Sequence, residues 1–212
     1  MLDYKELIKN FKEEDFKLKR VNLHVHTDYS DGEGDFDELV EQAEAKNYNY
    51  IAITDHNTMK GYSERNSAAS PVLIPGVEFD VWCGHVFMHL LAYGVDKENP
   101  ELKEFFAKNK AETEWNIIRL IPKRNLRKLI KAIHNAGGIA VWAHPACCWC
   151  LSMDRMAKKL ISMGLDGIEA YYPYPRFRRF VKFHRAGTAK KIAEKYNLIK
   201  TGGTDCHKKI LS

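Results

Sequence analysis

The sequence predicts a single α/β domain spanning all 212 residues. Short apolar segments alternate with amphipathic segments along nearly the whole chain, which is typical of a parallel α/β fold. Glycines recur where predicted helices give way to strands, at 137–138, 164 and 167. Because a β-α-β order implies parallel strands, the architecture is either an open sheet or a barrel.

The first half of the chain is predicted to contain two helices and four strands. VNLHVH at 21–26 alternates apolar and polar residues as a strand does. Asp35 is predicted to cap a helix, since Glu38 follows three residues later. The predicted elements are a charged N-terminal helix over 4–19 (within residues 1–20), strands over 21–26 and 50–54 with the capped helix between them, and strands over 72–79 and 85–94 joined by a hairpin near 83–84.

The second half alternates helices and strands more regularly. Residues 98–121 are rich in Lys, Glu and aromatic residues, and we expect a helical insertion or cap over 98–125. An amphipathic helix begins at Leu126 and ends at Gly137–Gly138, a helix-stop signal. The remaining predicted elements are strands over 139–143, 166–171 and 198–202 and helices over 152–163 and 177–196.

Composition narrows the functional classes. The chain carries 33 Lys and Arg against 28 Asp and Glu, and this charge of +5 permits an anionic substrate without itself indicating nucleic-acid binding. No apolar run approaches the roughly 18 residues of a membrane span, and the charged first 20 residues lack the apolar core of a secretory signal. We therefore expect a cytoplasmic protein with no membrane partner and five reduced cysteines.

Metal-binding residue types fall at the ends of six predicted strands. They are His24 and His26, Asp31, Asp55 and His56, Glu78, His85 and His89, His144, and Asp205 and His207. Residues i and i+2 of a strand share a face, so the first two imidazoles lie side by side. Each motif alone is common in ordinary turns and strand ends. Their joint occurrence at six strand ends predicts a metal cluster at the mouth of an α/β barrel.

Seven segments, in order, resemble the successive motifs of the PHP family, the polymerase-and-histidinol-phosphatase type of metal-dependent phosphoesterases. The segments are HVHTDYSDGEG, ITDHNT, PGVEF, HLLAYG, AVWAHP, GLDGIEAYYP and TGGTDCH, and they extend from about residue 21 to 207. The resemblance implies a distorted (β/α)7 barrel, here with the helical insertion around 98–125.

The resemblance also implies a ligand set for two or three divalent ions. His24, His26, Glu78 and Asp205 would surround one ion; Glu78, His89 and His144 a second; and Asp31, His56 and His207 a third. Asp31, His56, Glu78, Asp205 and His207 would also carry the catalytic role. Mixed nitrogen and oxygen ligands suit Mn, Fe or Zn. His85 is the weaker member of its pair, because His89 begins the HLLAYG segment.

The expected function is hydrolysis of phosphate monoesters, with a metal-bridging hydroxide as the nucleophile. The expected partner is a small phosphorylated metabolite or short nucleotide, and larger nucleic acid is less favoured. The first alternative is a 5′-3′ exonuclease-like or phosphodiester-cleaving enzyme. Less favoured alternatives are an amidohydrolase-type enzyme that hydrolyses C–N bonds and a non-catalytic metal-binding module.

Substrate contacts are expected in the basic stretch at 176–191. Arg176 and Arg178 follow a predicted strand end, and Arg suits bidentate contact with phosphate oxygens. An ordinary solvated helix face explains the same charges at least as well. The general acid is either His184, which is also a candidate substrate-side residue, or a metal-bound water. The family often has an Arg soon after AHP, whereas this chain has Ala146–Cys150 there.

Overall fold

The computed structural model describes residues 3–63, 72–173, 184–185 and 187–212. The helices are α1 Tyr4–Lys9, α2 Glu13–Lys17, α3 Phe36–Ala45, α4 Pro100–Lys103, α5 Ala111–Glu114, α6 Asn116–Arg119, α7 Leu126–Asn135, α8 Met153–Ile161 and α9 Gly187–Tyr196. The strands are β1 Val21–Val25, β2 Tyr50–Ile53, β3 Val72–Leu73, β4 Gly76–Cys83, β5 Val86–Tyr93, β6 Ile139–Trp142, β7 Gly167–Tyr171 and β8 Ile199–Gly202.

The described strands form two sheets. The first has the order β1-β2-β3 with parallel neighbours, and the second has the order β4-β5-β6-β7-β8. Two isolated parallel bridges, Val25 with Cys206 and His56 with Glu78, connect the two sheets. The α/β class is thus confirmed. The described strands do not close into one barrel, and the predicted (β/α)7 barrel is not confirmed.

The second sheet is mixed, which departs from the parallel arrangement that the sequence favoured. β4 pairs antiparallel with β5, and β5 pairs antiparallel with β6, whereas β6, β7 and β8 are parallel. Gly84, with φ +71, occupies the two-residue loop between Cys83 and Val86. A loop this short can join only antiparallel strands, and it is the predicted hairpin.

Helix ends follow the local side chains. The Asp35 carboxylate accepts hydrogen bonds from the N–H groups of Asp37 (2.8 Å) and Glu38 (3.1 Å), which begins α3 as predicted. At the end of α7, the Gly138 N–H donates to the Ile133 carbonyl (3.0 Å) while Gly137 takes φ +83. This pairing ends the helix as the two glycines indicated.

Two predicted long helices are broken into shorter ones. Over 4–19, the Asn10 side chain donates to the Glu6 carbonyl (2.7 Å) and ends α1, so that α2 starts separately. Over 98–121 the chain forms three four-residue helices. Asn109 accepts from the Glu112 N–H, and Trp115 is extended, so the segment forms caps and turns instead of one long helix.

Three apolar clusters support the sheets. α7, α8 and α9 bury residues such as Leu129, Leu160 and Ile192 against the second sheet. α1 contributes Ile8 to a second cluster, and α3 contributes Leu39 to a third, beside β1 and β2. Among the described residues, no helix has both the length and the apolar character needed to cross a bilayer.

Candidate metal centre

Strand β1 and the residue after it place two buried imidazoles side by side. His24 and His26 are fully buried, and their Nε2 atoms lie 3.1 Å apart. Both nitrogens face Glu78 Oε2, at 3.3 and 3.2 Å, and Asp205 Oδ1, at 3.4 and 3.3 Å. The alternation of side chains along β1 places both imidazoles on this face.

Glu78 divides its two carboxylate oxygens between different partners. Oε2 faces His24, His26 and, at 3.4 Å, His56 Nε2. Oε1 lies 3.1 Å from His89 Nδ1 and 3.2 Å from His144 Nε2. Each oxygen of the Glu78 carboxylate therefore lies among imidazole nitrogens, and carboxylate oxygens and imidazole nitrogens are both common metal ligands.

A further set of candidate ligands surrounds Asp31. Its Oδ1 lies 3.2 Å from His207 Nε2 and 3.7 Å from His26 Nδ1, and its Oδ2 lies 3.8 Å from His56 Nε2. The nine predicted ligand side chains therefore come together, and all of them except the fully buried His24 and His26 line one cavity. Their coordination of metal stays a prediction.

Within the described residues, four groups could hold a metal ion, each with ligand atoms within 4.8 Å of one another. They are His26, Asp31, His56 and His207; His24, His26 and Glu78; His24, His144 and Asp205; and His56, Glu78 and His89. Glu78 Oε2, Asp31 Oδ1 and His26 Nδ1 are buried without a hydrogen-bond partner. Buried polar atoms need a partner, and a divalent cation satisfies several at once, so these residues fit metal ions.

Electrostatics favour positive charge on the His26 imidazole. Burial lowers the pKa of His26, but hydrogen bonds with Asp205 and Glu78 outweigh this effect and raise it to about 10. Burial raises the pKa of Glu78, yet the neighbouring His89 and His24 charges bring it well below its ordinary value. The carboxylates therefore stay ionised, and protons or metal ions can supply the compensating charge.

Asp80 is a buried carboxylate that the sequence analysis missed. Its Oδ1 lies 3.1 Å from His89 Nε2 and 3.4 Å from His56 Nδ1. A carboxylate accepts, so Asp80 favours the tautomers that leave His89 Nδ1 and His56 Nε2 facing Glu78. The signal was present, because Asp80 lies two residues after Glu78 and a strand places both on one face.

Glu169 and Tyr172 are two further residues that the prediction missed. Glu169 Oε1 lies 2.9 Å from His24 Nδ1, and its Oε2 accepts from the His144 N–H at 2.7 Å. The Tyr172 hydroxyl donates to Asp205 Oδ2 at 2.6 Å. Both residues belong to the segment GLDGIEAYYP, so this segment contacts the candidate ligands His24, His144 and Asp205.

The backbone at the centre is unusual in two ways. His144 has φ +23 and Asp205 has φ +51, both in the region that favours glycine. Gly203 also lies very close to β1, since a Cβ there would come within 2.4 Å of His24 Cβ. A glycine at 203 thus lets Asp205 approach His24.

Arg119 is the cationic side chain that the sequence analysis overlooked. Although α6 lies in the insertion, this residue is only 5% exposed. Its Nη1 donates to Asp31 Oδ2 at 2.8 Å, and its Nε lies 3.5 Å from Asp80 Oδ2. Together with Glu78 and six other candidate ligands, Arg119 lines a cavity of about 840 Å³.

The other predicted substrate residues lie elsewhere. Arg176 and Arg178 fall outside the described residues. His184 Nε2 lies 2.8 Å from the Cys150 carbonyl oxygen and 3.6 Å from Cys150 Sγ. His85 is exposed in the hairpin loop, apart from the four candidate metal groups.

The fold and this centre define a metal-binding α/β protein, and residues 22–144 match the PHP domain family. The chain belongs to that family. It is 32% identical over 126 residues to a 5′-3′ exoribonuclease of Haemophilus influenzae, an alignment covering 58% of this chain and 46% of that protein. The chain thus matches less than half the length of this relative.

Two other proteins resemble a larger part of the chain. A phosphoribosyl 1,2-cyclic phosphate 1,2-diphosphodiesterase of Eggerthella lenta is 23% identical over 256 aligned positions, covering 89% of this chain and 94% of that protein. A structure of an amidohydrolase from Chromobacterium violaceum, with bound sulfate and no metal, has a TM-score of 0.71 at 19% identity. That similarity covers 89% of this chain and 88% of the other, and shows a shared fold.

Proposed function

We propose that this protein is a metal-dependent hydrolase that cleaves phosphate monoesters of small metabolites or nucleotides. The observation that carries the proposal is the buried Glu78, whose two oxygens face separate sets of imidazoles in one cavity. Dinuclear and trinuclear hydrolases need such a ligand because it holds neighbouring ions at a fixed separation. Membership of the PHP family supports the same class of reaction.

The proposed ligands are those that the sequence indicated. Following the family resemblance, His24, His26, Glu78 and Asp205 would hold one ion; Glu78, His89 and His144 a second; and Asp31, His56 and His207 a third, and the side-chain distances within each set allow this. Bound divalent ions lower the pKa of water towards about 7 and offset negative charge on phosphoryl oxygens.

The protein's own contribution is to orient the ligands. Asp80 Oδ1, which lies 3.1 Å from His89 Nε2 and 3.4 Å from His56 Nδ1, would orient both rings, and Glu169 Oε1 would orient His24. The dual role of Glu169, which also accepts from the His144 backbone, ties together two of the proposed metal sites. Such contacts keep the imidazole lone pairs directed at the centre.

Arg119 is proposed to contact the substrate phosphate. Asp31 and Asp80 hold its guanidinium at the cavity wall, beside the proposed ligands. A planar guanidinium offers five N–H donors in a fork that fits phosphate oxygens. This role would supply the cationic contact that the family often takes from the position after AHP, where this chain has Ala146–Cys150.

Phosphodiester cleavage is the second candidate function. The names of the Haemophilus and Eggerthella relatives both describe enzymes that cleave phosphodiester bonds. A cavity of about 840 Å³ has room for a second ester group besides the phosphoryl group.

A substrate panel with metal analysis tests both functions. The protein is loaded with Mn, Fe or Zn, its metal content is measured, and it is assayed with p-nitrophenyl phosphate, bis-p-nitrophenyl phosphate and a dihydropyrimidine amide. We expect the monoester to be hydrolysed fastest. Faster cleavage of the diester would favour the second function, and preferred cleavage of the amide would contradict both.

Variants then connect activity to the centre. Glu78→Gln is expected to cost more activity than the roughly 10–100-fold typical of changes outside the ligand shell. His85→Ala is the matched control, since this exposed histidine lies outside the candidate metal groups. Phosphate release that survives combined replacement of His24 and Asp205 by alanine would refute the metal mechanism.

A further inference from the structure

Three of the five cysteines fall within four residues of the chain, at 147, 148 and 150. This segment, which we call the cysteine turn (residues 147–150), lies in the connection between β6 and α8. All five cysteines are free thiols, and the proposed function uses none of them. Neighbouring thiols that hold no structural bond can carry thiol chemistry of their own, provided that one of them is a nucleophile.

The backbone of the cysteine turn brings Cys148 and Cys150 close together. The Cys150 N–H donates to the Cys148 carbonyl at 2.9 Å, which is the i→i+2 hydrogen bond of a γ-turn. The Cα atoms of residues two apart span at most about 7 Å, and a turn shortens that span into the range of roughly 4.4–6.8 Å that a disulfide needs. Little backbone movement is therefore needed to join the two sulfur atoms.

His184 contacts the cysteine turn and faces the sulfur of Cys150. Its Nε2 lies 2.8 Å from the Cys150 carbonyl oxygen, so this nitrogen carries a proton, and it lies 3.6 Å from Cys150 Sγ. The backbone N–H of His184 donates to the Ala146 carbonyl at 3.4 Å, which holds the imidazole beside the turn. An imidazole N–H next to a sulfur stabilises the thiolate form of that sulfur.

The two thiols of the pair are unequal. The Cys148 S–H donates to the Phe87 carbonyl at 3.5 Å. Hydrogen bonding with Cys148, and then with His184, lowers the pKa of Cys150 to about 6, although burial opposes this effect. Hydrogen bonding with Cys150, together with burial, raises the pKa of Cys148. Cys150 is therefore the nucleophile of the pair, and Cys148 keeps its proton until a partner sulfur is available.

A buried indole lies beside Cys148. Trp142 is fully buried, and its Nε1 has no hydrogen-bond partner among the residues that the structure describes. Whereas Cys150 and burial raise the pKa of Cys148, Trp142 lowers it. An N–H donor in this position can stabilise the Cys148 sulfur when it loses its proton, which the second step of disulfide formation requires.

The pair lies just below the surface of the protein. Trp149 and Leu151, on either side of Cys150, are 67% and 96% exposed, whereas Cys150 itself is 3% exposed. A thiol in such a position favours small reagents over bulky ones. Hydrogen peroxide is a small reagent that converts thiolates to sulfenic acids.

We propose that Cys148 and Cys150 form an oxidisable dithiol that reacts with hydroperoxides and closes to a reversible disulfide. The Cys150 thiolate attacks one oxygen of the hydroperoxide and becomes a sulfenic acid. The O–O bond breaks, and the other oxygen leaves with the electron pair and takes up a proton. Cys148 then loses its proton and attacks the Cys150 sulfur, so that the S–S bond forms, the S–O bond breaks and water leaves. The two thiols lose two electrons, and the hydroperoxide is reduced to an alcohol and water, or to two waters if it is hydrogen peroxide. This inference stands apart from the proposed phosphoesterase function, since neither thiol is a proposed metal ligand.

Oxidation of the reduced, folded protein with hydrogen peroxide tests the proposal. After treatment the protein is alkylated and digested without reductant, and the peptide that contains all three cysteines of the turn is followed by mass spectrometry. We expect this peptide to lose two hydrogen atoms through a bond between Cys148 and Cys150, and dithiothreitol should restore them. Cys147 is an internal control, because it belongs to the same turn and is more exposed than Cys150.

The rates should run against the order of exposure. At about pH 7 a thiol with a pKa of about 6 is mostly thiolate, whereas an ordinary thiol with a pKa of about 8.5 is only a few per cent thiolate. The lower intrinsic nucleophilicity of the more acidic thiol cancels part of this gain. We therefore expect Cys150 to react at least about three times as fast as the more exposed Cys147.

Three variants assign the two roles. Cys148→Ser should trap the sulfenic acid at Cys150, which dimedone labels, and Cys150→Ser should abolish the disulfide. Cys147→Ser is the matched control and should form the disulfide within about twofold of the parent rate. Oxidation of Cys147 before Cys150, or a disulfide in the parent protein that includes Cys147, would overturn the proposal. Dimedone labelling of Cys150 that is equal in Cys148→Ser and the parent would also overturn it. The comparison of rates in the parent protein needs no variant, so it decides the question even if a substitution prevents folding.

Discussion

Asp80→Asn is the sharpest test of how the centre is organised. The substitution keeps the size of the side chain and removes its charge. Both carboxylate oxygens face donors: Oδ1 faces His89 Nε2 and His56 Nδ1, and Oδ2 faces the Asn57 amide and Arg119 Nε. An amide nitrogen at either position would therefore meet a donor, so neither orientation of asparagine restores the contacts.

The size of the effect follows from this geometry. Residues that orient metal-binding imidazoles typically contribute 10–100-fold to metal affinity or activity, which is about 1.4–2.8 kcal/mol. Asp80 orients two imidazoles, so we expect a loss towards the upper end of that range. Breaking a buried charge pair also costs roughly 3–5 kcal/mol of folding stability. The affinity must therefore be measured where circular dichroism shows the variant to be folded.

The assay is a competition between the protein and a chromophoric chelator for Mn or Zn, followed by turnover of p-nitrophenyl phosphate. Asp28→Asn is the matched control, because Asp28 is an exposed aspartate in the loop that leads from β1 to Asp31. Metal affinity and turnover within about twofold of the parent protein in folded Asp80→Asn would refute the orienting role. An equal loss in Asp28→Asn would show a general charge effect.

Four further outcomes are expected. Glu169→Gln should weaken metal binding by roughly 10–100-fold in the same competition assay, and unchanged binding would remove its support of His24. Gly203→Ala should lower the free energy of unfolding in urea by about 1–3 kcal/mol, since its Cβ would meet His24; an unaltered value would contradict the close approach. Burial raises the pKa of Asp166, but hydrogen bonds from His134 and the Ala140 N–H outweigh this and bring it below 3.8. The ionised Asp166 therefore stabilises the folded protein above that pH, and this stabilisation is lost as the pH falls through the pKa of Asp166 in the folded state. Near pH 7 the parent protein should have a free energy of unfolding about 1–2 kcal/mol higher than Asp166→Asn. Denaturation at several pH values should show this difference shrinking below about pH 4. Removal of metal with a chelator should lower the Tm, because ions at roughly 100 times their Kd add about 2.7 kcal/mol, and an unchanged Tm would speak against metal binding by the folded protein.

Local rules account for the parts of the fold that were predictable. The alternation at 21–26 places His24 and His26 on one face, and the cap at Asp35 and the stop at Gly137 each depend on a few neighbouring residues. The four-residue helices within 98–121 were harder to foresee. Asn109 and Trp115 interrupt that segment through contacts and backbone angles that composition alone does not specify.

The position of Arg119 shows where sequence reasoning stops. α6 reads NIIR, and Ile117 is 78% exposed while the arginine is 5% exposed, the reverse of what hydrophobicity indicates. The guanidinium is buried because Asp31 and Asp80 pair with it. Those partners lie 88 and 39 positions away along the chain, and only the folded path of the insertion brings them together.

The candidate metal centre also lies where the two sheets meet. The first sheet supplies His24 on β1 and, next to it, His26 and His56, which follow β1 and β2. Glu78, His89 and Asp205 come from the second sheet or follow it. The bridge between His56 and Glu78 joins the sheets through two of the proposed ligands themselves. Ions held by residues of both sheets would strengthen a junction that backbone pairing makes only at isolated points. The charges that suit phosphate chemistry would then also hold the sheets together, so loss of ligands should weaken the fold as well as the activity.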